Sequence, residues 1–235
     1  MKRIALLFAA LVLAAPVFAK GPDHSRWEPD IRAFEMQDRA QPPVPGAVLF
    51  VGSSSIRMWT SLSADFPAFR VVNRGFGGSD LDDSTAFAAR IVAPYRPGAI
   101  VIYAGDNDLM NGDSPEQVRD DFADFVARVR KDQPQVPIAF ISIKPSVSRR
   151  ALLDKILKSN ELIREWASRQ KDVSFLDIVP GMVDGQGEPR PELFIADGLH
   201  MNSKGYALWT ATVEPWLEQH AKSAEIKRMP KTTGR

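Results

Sequence analysis

The sequence predicts an α/β protein: a parallel sheet covered by helices on both faces, a three-layer α/β/α sandwich. Three observations carry that expectation. Short, nearly continuous apolar runs alternate with segments whose apolar residues recur at helical spacing. Pro and Gly clusters punctuate the boundaries, and no internal repeat or domain linker interrupts the alternation. The 235 residues, 44% hydrophobic and 25% charged, suffice for one domain with a full core.

Taken in order, residues 1–19 read as a signal peptide. Lys2 and Arg3 precede the apolar run 4–15, and Val17-Phe18-Ala19 offers small residues at a peptidase site. The run is shorter than the about 20 residues of a membrane span. A periplasmic or secreted protein without stable membrane insertion is therefore expected, with an uncleaved anchor as the alternative. Residues 20–46 should hold an N-terminal helix over 27–39, with Trp27, Ile31, Phe34 and Met36 on its apolar face, and a Pro-rich lead-in. The main domain is expected over 47–220, and 221–235 as a basic flexible tail.

Within that domain, 47–51 reads as the first strand, and Ile56, Trp59 and Leu62 then predict a helix from about Ser55. Residues 69–73 follow as strand two, running into the glycine-rich loop Arg74-Gly75-Phe76-Gly77-Gly78-Ser79. A helix over 81–95 is ended by Pro94 and Pro97. Strand three covers 99–103. Ser114 caps the next helix, with Pro115 at its first position and Val118, Phe122, Phe125, Val126 and Val129 inward. Strand four is placed over 137–143, a long helix over 148–170 and strand five over 173–177. An irregular segment, 180–199, precedes a closing helix over 202–219, with Trp209 and Trp216 on its buried face. A loop that long in a compact domain tends to be functional.

Composition removes several classes of chemistry. Basic and acidic residues nearly balance, for a formal net charge of +1, so there is no electrostatic case for nucleic acid. There is no cysteine, which excludes disulfides, thiolate catalysis and thiolate metal sites. Asp80, Asp82 and Asp83 resemble half a calcium loop but lack its glycine and distal Glu, and read as an Asp-rich helix start. No metal and no cofactor is expected.

The strand-turn-helix at Gly52-Ser53-Ser54-Ser55 places hydroxyls and free N–H groups at the carboxyl end of a strand, where open α/β sheets keep their sites. By itself it could be only a helix cap. A serine nucleophile needs a base. Of the three histidines, His24 and His220 read as surface residues. His200 lies in Asp197-Gly198-Leu199-His200, where the Asp can orient the imidazole. Acyl transfer also needs fixed donors for the carbonyl oxygen. Strands two and three end in a Gly loop and in Gly105-Asp106-Asn107, which supply backbone N–H groups and a neutral amide.

Together Gly52-Ser53-Ser54, the 73–78 loop, Gly105-x-Asn107-Asp108 and Asp197-x-x-His200 resemble the four sequence blocks of the SGNH (GDSL-type) hydrolases. They stand in the family's order and span about 47–218; the Asp of Gly-Asp-Ser is replaced by Ser53. The resemblance implies a flavodoxin-like sandwich with five parallel strands and an esterase, lipase or acyl-carbohydrate esterase activity. It assigns Ser54 as nucleophile, His200 as base and Asp197 as its partner, with the Ser54 N–H, Gly78 and Asn107 as oxyanion donors. Which of Ser53, Ser54 and Ser55 reacts, and whether Gly77 or Gly78 donates, rests on alignment.

Arg57, one turn past the serines, and Lys144, beside Pro145, Ser146 and Arg149 after strand four, are candidates for contacting substrate on the same rim. The expected protein is a secreted serine esterase acting on a small-molecule or carbohydrate ester with a short acyl group. A lipid-directed esterase and a non-catalytic carbohydrate-binding protein are the alternatives.

Overall fold

The computed structural model describes residues 23–221. The signal peptide expected over 1–19 and the tail from residue 222 onward lie outside the described residues.

Five strands form one parallel sheet: β1 (Val48–Gly52), β2 (Val71–Gly75), β3 (Ala99–Tyr103), β4 (Ile138–Ile141) and β5 (Val173–Leu176), ordered β2-β1-β3-β4-β5. β1, β3 and β4 are buried throughout, as their continuous apolar runs require. Alternate residues feed two cores. Leu49, Val51, Ile100 and Ile102 face one; Val48, Phe50, Val101 and Tyr103 face the other.

The first core is closed by α1 (Glu28–Ala40), α4 (Leu81–Ile91), α6 (Pro115–Asp132) and α7 (Leu153–Ala167), through Ile31, Ile91, Phe122 and Ile163 among others. The second is closed by α2 (Ser54–Arg57), α3 (Leu62–Asp65), a one-turn α8 (Val179–Met182) and α9 (Ser203–His220). One short helix remains, α5 (Asp106–Asn111), which starts at the carboxyl end of β3. The three-layer sandwich and its five-stranded parallel sheet are thus as the sequence implied.

Several local expectations are corrected. The helix predicted from Ser55 is two four-residue pieces, α2 and α3, broken at 58–61. Trp59 is the cause. It is fully buried against Phe50, Phe66, Tyr206 and Trp209, and its Nε1 donates to Asp65 at 2.6 Å, so tertiary packing overrides helical spacing. β2 starts two residues later than predicted, because Phe69 turns into the core and Arg74 and Gly75 continue the pairing. Arg74, a charge inside the sheet, is compensated by Asp38 at 2.5 Å and by Tyr95. Met36 is 65% exposed and not part of the apolar face of α1. The first turns of the predicted 148–170 helix are a 3-10 segment, Val147–Leu152. His24 is half-buried, not a surface group, with Nδ1 2.7 Å from Asp83.

At the start of α4 the Asp80 N–H donates to Asp83, and Asp80 itself accepts from Asn111 at 2.8 Å. Burial above all pushes the Asp80 carboxyl up to about 6; the Asp83 and Asp82 charges add to this, while Asn111 and Arg26 oppose it.

Two predictions follow from this architecture. Gly52 has φ +132°, and an added Cβ would lie 1.9 Å from the Tyr103 carbonyl oxygen. Gly52→Ala should therefore destabilise by more than about 2 kcal/mol. Gly185→Ala, where nothing lies within 4 Å, should leave the urea midpoint unchanged. The second concerns Asp80. Its raised carboxyl means the folded chain binds more protons than the unfolded one between about pH 4 and 6, so stability falls as pH rises through that window. Asp80→Asn should gain on the wild type across the same window, measured by urea unfolding at each pH. A constant difference would show that this carboxyl does not titrate there.

Candidate active site

β1 is flush with both neighbours: Gly52 pairs with Gly75 of β2 and with Tyr103 of β3. The loops leaving these three strands therefore start at one height, where the strand order reverses between β1 and β3. Open sheets form their crevice at that point. Ser54 opens α2, so its N–H has no acceptor within the helix. Ser53 and Ser55 are fully buried, and Ser54 is the serine whose hydroxyl reaches a histidine.

That histidine is His200, with Nε2 2.9 Å from Ser54 Oγ across 146 positions of sequence. Its Nδ1 lies 2.6 Å from Asp197 Oδ2, while Asp197 Oδ1 accepts from the Leu199 and His200 N–H groups at 2.8 and 2.9 Å. Gly198, at φ +65°, makes the tight turn possible. Burial would raise the Asp197 carboxyl, but the His200 ring and the two backbone N–H groups outweigh it and hold it at about 2. A carboxylate fixed on Nδ1 leaves Nε2 to accept the serine proton.

The two candidate donors, Gly78 and Asn107, lie on the neighbouring segments that follow β2 and β3. Gly78 is exposed, at φ +80°. Asn107 Nδ2 gives one hydrogen to the Ser79 carbonyl at 3.1 Å, which orients the amide and leaves its second N–H. Asp108, fully buried, accepts from Leu81 N–H at 2.8 Å and Gly105 N–H at 2.9 Å, tying the loop after β2 to the loop after β3. Asn73 clamps the first of these to the serine turn. Its amide donates to the Ile56 carbonyl at 2.6 Å and its oxygen accepts from Gly75 N–H at 2.9 Å.

Ser54, Gly78, Asn107, Asp197 and His200 thus come to one edge. The two rim candidates behave differently. Arg57 is exposed on α2 with its guanidinium against Gly77: an added Cβ there would meet Nη2 at 2.6 Å. Lys144 is not at the rim. It is fully buried, with Nζ 2.7 Å from Asp106 Oδ2 and 2.9 Å from the Tyr103 hydroxyl, so a substrate cannot meet it directly. Sequence reading missed this pair because no local pattern announces a lysine that turns inward after a strand. The Tyr206 hydroxyl, which holds the Ser55 carbonyl at 3.0 Å, was equally silent.

Ligand atoms of His24, Asp82 and Asp83 lie within 4.8 Å of one another, as do those of Asp108, Asp113 and Asp121. Neither group includes Asp197 or His200. Asp83 is already engaged by His24, Arg26 and a backbone N–H, and Asp108 by two backbone N–H groups.

Comparison with known proteins identifies the family and the fold. The chain is 27% identical over 172 residues to the platelet-activating factor acetylhydrolase IB subunit alpha1 of Pongo abelii, covering 68% of this chain and 70% of that one. Among solved structures, a Streptococcus pneumoniae protein described provisionally as a platelet activating factor superposes with a TM-score of 0.74 at 20% identity, over 82% of this chain and 93% of that one. A GDSL-like lipase from Bacteroides thetaiotaomicron gives 0.69 at 19% identity, over 80% and 97%. Residues 49–208 match the GDSL-like Lipase/Acylhydrolase family, a span that begins inside β1 and ends in α9, and the chain belongs to that family.

Proposed function

We propose that this chain is an exported serine esterase that hydrolyses short-acyl carboxylic esters through Ser54, His200 and Asp197. The observation that carries the reading is the unbroken run from Ser54 Oγ to His200 to Asp197, at 2.9 and 2.6 Å. His200 Nε2 takes the Ser54 proton as Oγ attacks the ester carbonyl carbon. Negative charge then gathers on the carbonyl oxygen, facing the Ser54 N–H, the Gly78 N–H and the Asn107 amide. His200 returns the proton to the departing alcohol, leaving an acyl-enzyme. A water repeats the sequence in the second half, losing its proton to His200 and releasing the acid and free Ser54.

The acyl group is proposed as short, acetyl in the first instance, and the alcohol as part of a carbohydrate. The acetylhydrolase named among the relatives supports the acyl half. The basic-apolar start of the chain supports export, which would bring the enzyme to wall and plant polysaccharides. A lipid-directed reading has one observation of its own. Met110 of α5, Val147 of the 3-10 segment and Ile195 of the triad loop are exposed apolar residues on segments at this sheet edge. An apolar alcohol portion would suit them.

p-Nitrophenyl acetate hydrolysis by the wild type, lost in Ser54→Ala and in His200→Ala, is the expected result. Near wild-type turnover in either folded variant would sink the assignment. An acyl-length series, followed by acetylated xylan against an acetylated glycerolipid, separates the two alcohols. Asn107→Ala should lower kcat by about 10²–10³, the range for losing one oxyanion donor. A loss below about tenfold with folding intact would remove Asn107 from that role.

A further inference from the structure

Beneath the candidate oxyanion donors lies a buried charge that the chemistry above does not use. Lys144 follows β4 and has no exposed surface. Its ammonium donates to Asp106 Oδ2 at 2.7 Å and to the Tyr103 hydroxyl at 2.9 Å, and sits 4.9 Å from the Tyr103 ring centroid. Tyr103 ends β3, and the Ser55 hydroxyl is buried beside its phenol. Asp106 is the first residue of α5. The cluster therefore touches the residue after Ser54 and the residue before Asn107.

Stability alone is a poor reason for such a cluster. Desolvating a Lys–Asp pair costs about as much as the pairing returns, and apolar replacements are often neutral or better. This one is not even fully satisfied: the second oxygen of Asp106 and the Ser55 hydroxyl are buried with no hydrogen-bond partner among the described residues. What the cluster does supply is a fixed position. α5 is six residues long and depends on its caps: Asp108 ties its start to Gly105 and Leu81 on one side, and Asp106 ties it to Lys144 on the other. Among the described residues the Asn107 side chain has one hydrogen-bond partner, the Ser79 carbonyl.

We propose that Lys144 is a positioning residue: through Asp106 and Tyr103 it pins the first turn of α5, and with it the Asn107 amide, against the nucleophile loop. The ammonium links the end of β3, the start of α5 and the segment after β4 in one step, so these three cannot shift independently. Burial would favour a neutral Asp106, but the Lys144 charge and hydrogen bond, with Tyr103 and Arg149, hold it ionised and keep the link charge-assisted. Burial keeps the Tyr103 phenol protonated. The inference rests on the roles given above to Ser54 and Asn107.

The test removes the pair without stranding a charge. Lys144→Met combined with Asp106→Asn should keep the wild-type melting temperature, because no ion is left bare. Its kcat on p-nitrophenyl acetate should fall about 10- to 100-fold with KM within about twofold, the signature of a misplaced transition-state donor. Affinity for a boronic acid that adds to the serine hydroxyl should weaken by a similar factor. Turnover within about twofold of wild type in the folded double variant overturns the proposal. So does a loss shared equally with KM while boronic acid affinity is unchanged. Should the double variant fail to fold, Tyr103→Phe, which deletes one hydroxyl, must still lower kcat at constant KM; wild-type kcat there overturns it equally. An inactive wild type would instead remove the esterase reading, so the two failures are distinct.

Discussion

The flush pairing of β1 with both β2 and β3 is the constraint on which the rest depends. Gly52 stands opposite Gly75 on one side and Tyr103 on the other. Parallel strands share a direction, so equal registers bring three chain segments to one edge together. The close approach of Gly52 to the Tyr103 carbonyl leaves no room for a side chain, which fixes where β1 must end and the serine turn begin. A slip of one residue would exchange Phe50 and Val51 between the two cores, which burial on both faces forbids. The hydrophobic layers therefore set the coarse position of the site to within a residue.

Polar cross-links refine that position. Asn73 reaches from β2 to the serine turn, Asp108 from α5 to the start of α4, and Tyr206 from α9 to the Ser55 carbonyl. Each joins segments distant in sequence, and each satisfies backbone groups that the irregular loops leave without partners. Apolar packing is tolerant by comparison, since side chains of similar volume exchange at modest cost. Hydrogen bonds with narrow geometry hold donors to the few tenths of an ångström that a reaction centre demands.

How much of this was legible follows from the same division. Strands β1 and β3 were readable as apolar runs, and Ser114 with Pro115 marked the start of α6, because these signals are local. The reach of His200 to Ser54 was inferable only from topology, since 146 positions separate them. Where a residue serves a distant neighbour, the local pattern misled. Trp59 had helical spacing but anchors a break, Phe69 looked like strand but seals a turn, and Lys144 looked like a rim cation but lies under the sheet edge. Buried polar pairs such as Arg74–Asp38 have no periodicity to betray them.

The two halves of the candidate centre are built on different principles. Asp197 and His200 sit within one four-residue turn, so carboxylate and imidazole are paired by local geometry without any long-range contact. Burial is the largest single effect on this carboxyl and would raise it, but the His200 ring and the two backbone N–H groups of its own turn together outweigh that and hold it at about 2. The donors facing them belong to separate loops, and the Asn107 amide rests on a carbonyl 28 positions away. The turn is tethered by few contacts, including Ser148 N–H to the Gly198 carbonyl at 3.0 Å and the bridge between Phe194 and Met201. Loosening the turn would move acid and base together and preserve their pairing. Loosening α5 would take Asn107 away from its loop while the proposed triad stayed whole. The oxyanion side is therefore where this architecture needs support from below, and the buried lysine stands there.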